Sequence, residues 1–338
     1  MSAITTAAVL HTPGPIATDR LVIERRPLRE LEAGEIVVDV RACGVCRTDL
    51  HIVEGELAPR HPTIVPGHQI VGTVSAAAPD VTIAAGTRVG ISWLGGVDGT
   101  CRFCAEGREN LCDEPAFTGY DRDGGYATAV VARADFAYPL SDRLDDLHAA
   151  PLLCAGIIGF RALRVAGVAP GERVGLYGFG ASAHLALPVL KHWGCSVFVA
   201  TRGAKHRAFA EQLGADEIAS ETARPAQPLD RAITFAPSGD VVVAALGALR
   251  KGGVVAINAI HLDRMPQFDY DSLLWGEREI RSVANMTRAD ARDFLALAAQ
   301  IELKPSATTF PLEGVNDALR AVKNDAIDGA AVIAMART

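Results

Sequence analysis

Three thiols and a carboxylate in one short stretch carry the plainest chemistry in this 338-residue chain: Asp98, Cys101, Cys104 and Cys112. Cysteines at this spacing on a Gly-rich loop are the signature of a structural zinc site, which closes a tetrahedron with four ligands. Asp98 stands one regular three-residue step before Cys101, where the fourth ligand falls, and zinc accepts carboxylate oxygen. The chain has seven cysteines, and an odd count speaks against a complete disulfide framework. Cys46, Cys154 and His68 are joined by no short spacing. Each alone reads as a buried thiol or a satisfied core histidine.

A second constellation is Gly178-Phe179-Gly180-Ala181-Ser182-Ala183. It follows the apolar run Val174–Tyr177 and opens a segment of helical period, which is the dinucleotide fingerprint in its required context. Gly178 permits the turn, Gly180 lets backbone approach a pyrophosphate, and Ala183 is small enough for helix–strand packing. The N–H groups at the helix start then face the phosphates. Pro188 lies well inside that helix, where proline costs about 3 kcal/mol or a kink.

The next strand, Ser196–Ala200, runs into Thr201-Arg202 where an acid usually holds the ribose 2′-hydroxyl of NAD. A hydroxyl and a cation, with Lys205, His206 and Arg207 behind them, suit a 2′-phosphate, so the expected cofactor is NADP, with NAD as the alternative.

These groups need a scaffold. From Arg161 to Val283, strand-like runs (Arg173–Tyr177, Ser196–Ala200, Arg231–Phe235, Gly253–Asn258, Glu279–Val283) alternate with segments of helical spacing (Ala181–Trp193, Ala204–Leu213, Asp240–Leu249). That alternation means βαβ units and a parallel sheet. Before Ala149 the text is β-rich and Gly-punctuated. A further helix is read at Ala289–Ile301, and the tail Thr309–Met335 is read as returning to the first domain.

Composition bounds the rest. Hydrophobic residues make up 49% and the net charge is −7, which disfavours nucleic acid or an anionic membrane as partner. The sequence shows no long uninterrupted apolar run and no basic region opening a signal peptide, so a cytoplasmic protein is expected.

The segments ACGVCRTDLH, PGHQIVG, CRFCAEGRENLC, GGYA, PLLCAGI and GFGASA, in this order, resemble the zinc-dependent alcohol dehydrogenases of the medium-chain dehydrogenase/reductase family over nearly the whole length. The resemblance implies an α/β fold: a doubly wound Rossmann sheet over residues 151–288, and a GroES-like, β-rich catalytic domain from residues 1–150 and 289–338. It implies a catalytic zinc held by Cys46, His68 and Cys154 besides the structural zinc, so two zinc ions per chain. It makes Thr48 the acceptor of the alcohol proton and His51 the end of the proton relay. Asp49 orients the histidine ligand, Arg47 touches the pyrophosphate, and Trp93 lines the alcohol pocket. The implied activity is reversible hydride transfer between a small alcohol or aldehyde and NADP(H) or NAD(H), in a homo-oligomer, dimer or tetramer.

Three departures from the family pattern stand out. Gln69 replaces the Glu that usually follows the ligand histidine. Asp98 stands where many members have Cys. Gly329-Ala330 lacks the usual Arg after the Gly, and Arg288 is a candidate substitute for its phosphate contact. A non-catalytic dinucleotide-binding protein would need neither the zinc triad nor Thr48 and His51, and a zinc-free quinone reductase would need neither zinc set.

Overall fold

The computed structural model describes residues 3–327 and 329–336. The chain divides into two units, one of residues 1–154 and 287–338, the other of residues 155–286.

The second unit is built on a six-stranded parallel sheet, in spatial order Glu217–Ala219, Ser196–Ala200, Arg173–Tyr177, Leu229–Thr234, Leu249–Ile257, Glu279–Ser282. Numbered along the chain this is 3-2-1-4-5-6, the Rossmann order, whose reversal lies between the first and fourth strands. The strands are apolar runs because helices must cover them. Ile157–Ala166 and Gly239–Gly247 both pack on Leu249–Ile257 and Leu229–Thr234, while Ala181–His192 packs on Ser196–Ala200. The sequence reading missed strand Glu217–Ala219. Its three residues are only half-buried, so it shows no apolar signal.

Helix Ala181–His192 continues through Pro188 without a break. Four apolar residues around the proline, Ala186, Leu187, Val189 and Leu190, are buried, and their packing offsets the lost backbone bond.

In the first unit a seven-stranded sheet is centred on Glu35–Val45. This strand pairs antiparallel with Gln69–Ala77 on one side. On the other it pairs with Ala129–Arg133 along its first half and with Ala330–Ala334 along its second. Ala330–Ala334 answers the expectation about the tail: it returns from the far end of the chain to lie beside Ala42–Val45.

Asp146–Ala166 is a helical run of 21 residues with mean hydropathy 1.5, long and apolar enough by those measures to cross a membrane. His148, Arg161 and Arg164 interrupt it, so the expectation of no long uninterrupted apolar run holds. The run is 67% buried inside the protein, the mark of a core helix, and its middle turn, Leu152–Gly156, widens to a π-helix carrying Cys154.

Candidate active site and metal centres

Strand Glu35–Val45 ends where helix Arg47–Glu54 begins, and Cys46 is the residue between them. Its backbone N–H donates to Asp49 Oδ2 at 2.9 Å, capping the helix start. The other oxygen of Asp49 accepts from His68 Nδ1 at 3.1 Å. That bond fixes the imidazole with Nε2 turned the opposite way, 3.4 Å from Cys46 Sγ. Cys154 completes the set: the donor atoms of Cys46, His68 and Cys154 lie within 4.8 Å of one another.

Asp49 and His68 are both fully buried. Desolvation pushes the imidazole down, but the Asp49 carboxylate and the Cys46 sulfur overcome it and hold His68 at about 10. Two sulfurs and one imidazole with a carboxylate behind are the donor set of a catalytic zinc with an open fourth position.

Thr48 and His51 are three apart on helix Arg47–Glu54, hence on one face, and both are partly exposed. His51 Nδ1 meets the carboxylate of Glu56, across the turn made by Gly55 at φ 82°. Glu56 is an addition the sequence gave no sign of, since an exposed acid in a loop has no distinguishing spacing. Arg47 is exposed at the first turn of the same helix.

Trp93 stands edge-on to the His68 ring at 5.1 Å. Phe117 stacks behind it at 4.8 Å with 12° between planes, and Tyr120 follows at 6.1 Å. Phe117 and Tyr120 fix the Trp93 ring and were likewise not foreseen. Gln69 is buried, and its Nε2 has no hydrogen-bond partner. Its Oε1 crowds Gly44 so closely that a Cβ there would stand 2.6 Å away.

The second metal cluster is Asp98, Cys101, Cys104 and Cys112, again with donor atoms within 4.8 Å. Asp98 does two things at once. Oδ1 accepts from the N–H groups of Thr100 (2.7 Å) and Cys101 (2.8 Å), shaping the turn. Oδ2 faces the sulfurs, 3.1 Å from Cys112 Sγ. These backbone donors hold its carboxyl below the usual carboxylate range, so it stays anionic. Burial first, and then the neighbouring Cys101, push the Cys104 thiol up to about 12, a strain that a divalent cation relieves.

Glu109, between the last two cysteines, is buried and accepts from the backbone N–H and Nε of Arg288 at 2.9 and 3.1 Å. Arg288 also reaches Asp135 and lies over the Phe136 ring. Arg288, the candidate substitute for the missing phosphate contact, has its guanidinium paired with Glu109 and Asp135.

In the nucleotide-binding unit, Gly178 has φ 87°, and a Cβ there would stand 2.8 Å from Ala236 N. Gly180, the N-cap of helix Ala181–His192, has open space where a Cβ would be, room for a phosphate. Ala181 begins that helix and Ala183 is fully buried under it. The expected 2′-phosphate contacts are placed differently. Thr201 is buried and its hydroxyl turns to the carbonyl of Arg202 at 3.5 Å. Arg202 is exposed and pairs with Glu221 at 3.0 Å. The acid missing from the strand end thus arrives from the loop after Glu217–Ala219, but it holds the arginine.

Residues 32–142 match the alcohol dehydrogenase GroES-like domain and residues 183–300 the zinc-binding dehydrogenase domain. The chain is 44% identical to the "Probable alcohol dehydrogenase AdhA" of Mycobacterium tuberculosis (strain CDC 1551 / Oshkosh) over 330 residues, covering 96% of this chain and 95% of that one. It is 34% identical to an alcohol dehydrogenase of Geobacillus stearothermophilus, covering 90% and 93%. Among solved structures, a cobalt- and zinc-bound thermostable alcohol dehydrogenase from Pyrobaculum aerophilum superposes with TM-score 0.86 at 24% identity, over 98% of this chain and 100% of that one. The chain belongs to the zinc-type alcohol dehydrogenases of the medium-chain dehydrogenase/reductase family, and is an oxidoreductase of that class.

Proposed function

We propose that this enzyme interconverts small alcohols and their aldehydes, with catalytic zinc held by Cys46, His68 and Cys154 and structural zinc by Asp98, Cys101, Cys104 and Cys112. The observation that carries this is the convergence of three donor atoms within 4.8 Å with Asp49 bonded behind the imidazole. Two anionic sulfurs and a neutral imidazole match the charge of Zn²⁺ and leave one position open. When bound, zinc supplies a Lewis acid that eases loss of the alcohol proton, and the nicotinamide supplies the hydride acceptor. Thr48 takes the proton, His51 passes it outward, and Glu56 at Nδ1 steadies the imidazolium that forms. Trp93, backed by Phe117, narrows the pocket and favours slim substrates.

The nicotinamide cofactor binds on Gly178, Gly180, Ala181 and Ala183. We take it to be NADP(H): no acid ends strand Ser196–Ala200, and the exposed Arg202 can exchange Glu221 for a 2′-phosphate. Cytoplasmic location and homo-oligomeric assembly complete the reading. Tyr270 and Trp275 lie exposed just before the edge strand Glu279–Ser282, where a second copy would cover them.

Zinc content and absorbance at 340 nm with an alcohol and aldehyde panel test the proposal. Two zinc ions per chain and turnover are expected. Cys46→Ala should keep one zinc and lose alcohol oxidation; normal turnover in that folded variant would overturn the ligand assignment.

A further inference from the structure

Tyr120 joins the aromatic wall beside His68 to a space that the chemistry so far does not use. Its ring stacks on Trp93 at 6.1 Å with 22° between planes, and Trp93 stands edge-on to the His68 ring. The same ring lines a cavity of about 260 Å³ together with Leu10, Pro13, Ile52, Leu57 and Ile64. The buried residues of that lining, Leu10, Ile52, Ile64 and Tyr120, are all apolar or aromatic, whereas its polar members His11, Arg60 and His61 are exposed. A space with such an interior takes hydrocarbon.

The exposed side of the cavity is the segment 58–63, which makes no backbone–backbone hydrogen bond among the described residues. It hangs between Leu57, whose N–H donates to His51 O at 3.1 Å, and Ile64, which exchanges two bonds with Leu10 at 2.8 and 3.1 Å. Side chains hold the rest, and they converge on Tyr120. The Tyr120 hydroxyl donates to Ala58 O at 2.7 Å. The Arg60 guanidinium lies 4.8 Å from the Tyr120 ring centroid and donates to Asp121 Oδ1 at 2.5 Å. His61 Nε2 donates to Asp121 O at 2.9 Å. A ring held by a stack, a cation and a hydrogen bond is a fixed partition.

We propose that Tyr120 is the residue that limits substrate length: its ring divides the space beside Trp93 from the cavity, and the cavity is a tail site for longer unbranched alcohols that removal of the ring opens. The inference rests on the proposed interconversion of small alcohols and aldehydes.

The test uses the zinc-loaded enzyme and unbranched primary alcohols from ethanol to octanol, with kcat and KM read separately. Tyr120→Ala should raise kcat/KM for hexanol relative to ethanol by at least about tenfold, part of the roughly fourfold that full burial of each added methylene gives. The gain should lie in KM, because the tail sits away from the reacting atoms. Tyr120→Phe keeps the ring and loses only the bond to Ala58, so its chain-length profile should match that of the unmodified enzyme. Tyr120→Leu fills part of the space and should give an intermediate ratio; it carries the test if the alanine variant does not fold. Parallel chain-length profiles in the unmodified enzyme and a folded truncation variant would overturn the inference. So would a shift in Tyr120→Phe as large as in Tyr120→Ala, or efficiency that already climbs to octanol in the unmodified enzyme. An unmodified enzyme that oxidises none of these alcohols would instead overturn the function on which the inference stands.

Discussion

At the scale of single residues, the two metal clusters differ in what the sequence could disclose. Asp98, Cys101, Cys104 and Cys112 lie on one loop, so local spacing sufficed. Cys46, His68 and Cys154 sit on a helix start, a loop and a π-turn, and only resemblance to a family could join them beforehand. Residues acting through exposed charge, Glu56 and Glu221, had no pattern to betray them. The double role of Asp98 gives a discriminating substitution. Asp98→Asn keeps the Oδ1 acceptor for Thr100 and Cys101 but loses the anion. Structural zinc should leave it faster by more than the roughly 10–100-fold that an outer-sphere loss costs, as read by a chromogenic chelator. An unchanged rate would make Asp98 a turn residue only. For the proton path, His51→Gln should lower kcat at pH 7 by about a hundredfold, within the range of general acid–base contributions. Added imidazole buffer should restore part of the rate.

At the scale of elements, local signals were read well and long-range ones poorly. Strands Arg173–Tyr177 and Ser196–Ala200 have the bounds expected of them because their apolar runs are bracketed by turn residues. Helix Ala181–His192 shows packing overriding propensity at Pro188. Pro188→Ala returns a backbone N–H to the helix and should raise stability by up to about 3 kcal/mol, measured by urea denaturation. A loss of stability would mean the proline ring itself is packed to advantage. The zinc lobe is latched to helix Arg288–Gln300 through Glu109. Arg288→Ala leaves that buried carboxylate with the backbone N–H alone and should cost about 1–3 kcal/mol. Chelation of the structural zinc should then melt the lobe at lower temperature than in the unmodified enzyme.

At the scale of the whole molecule, pH acts on a buried carboxylate far from the chemistry. Glu35 accepts from both terminal nitrogens of Arg29 (2.5 and 2.6 Å), from Arg122 (2.8 Å) and from the Glu32 N–H (2.9 Å). Burial pushes Glu35 up, but the Arg29 bonds outweigh it and hold its carboxyl at about 2, against 4.5 unperturbed. A group depressed on folding stabilises above its unfolded value, so this contribution is whole above pH 4.5 and is lost as pH falls toward 2. Glu35→Gln should lower the melting temperature at pH 7 and flatten its fall between those limits; parallel curves would show that the network adds nothing.

The pairing of Ala330–Ala334 with Ala42–Val45 has a consequence for biosynthesis. The strand that ends at Cys46 is synthesised early, and the first half of one of its edges can pair once Ala129–Arg133 emerges, but along that edge Ala42–Val45 has no partner until Ala330–Ala334 has left the ribosome. Residues 155–286 form a unit contiguous in sequence, and can fold while translation continues. The unit holding both metal clusters closes only after Ala330–Ala334 has been made, at the slow rate that distant strand pairing imposes. Until then the backbone groups of Ala42–Val45 are an open template for another nascent chain, so heterologous expression should yield more soluble protein when translation is slowed or the temperature is lowered.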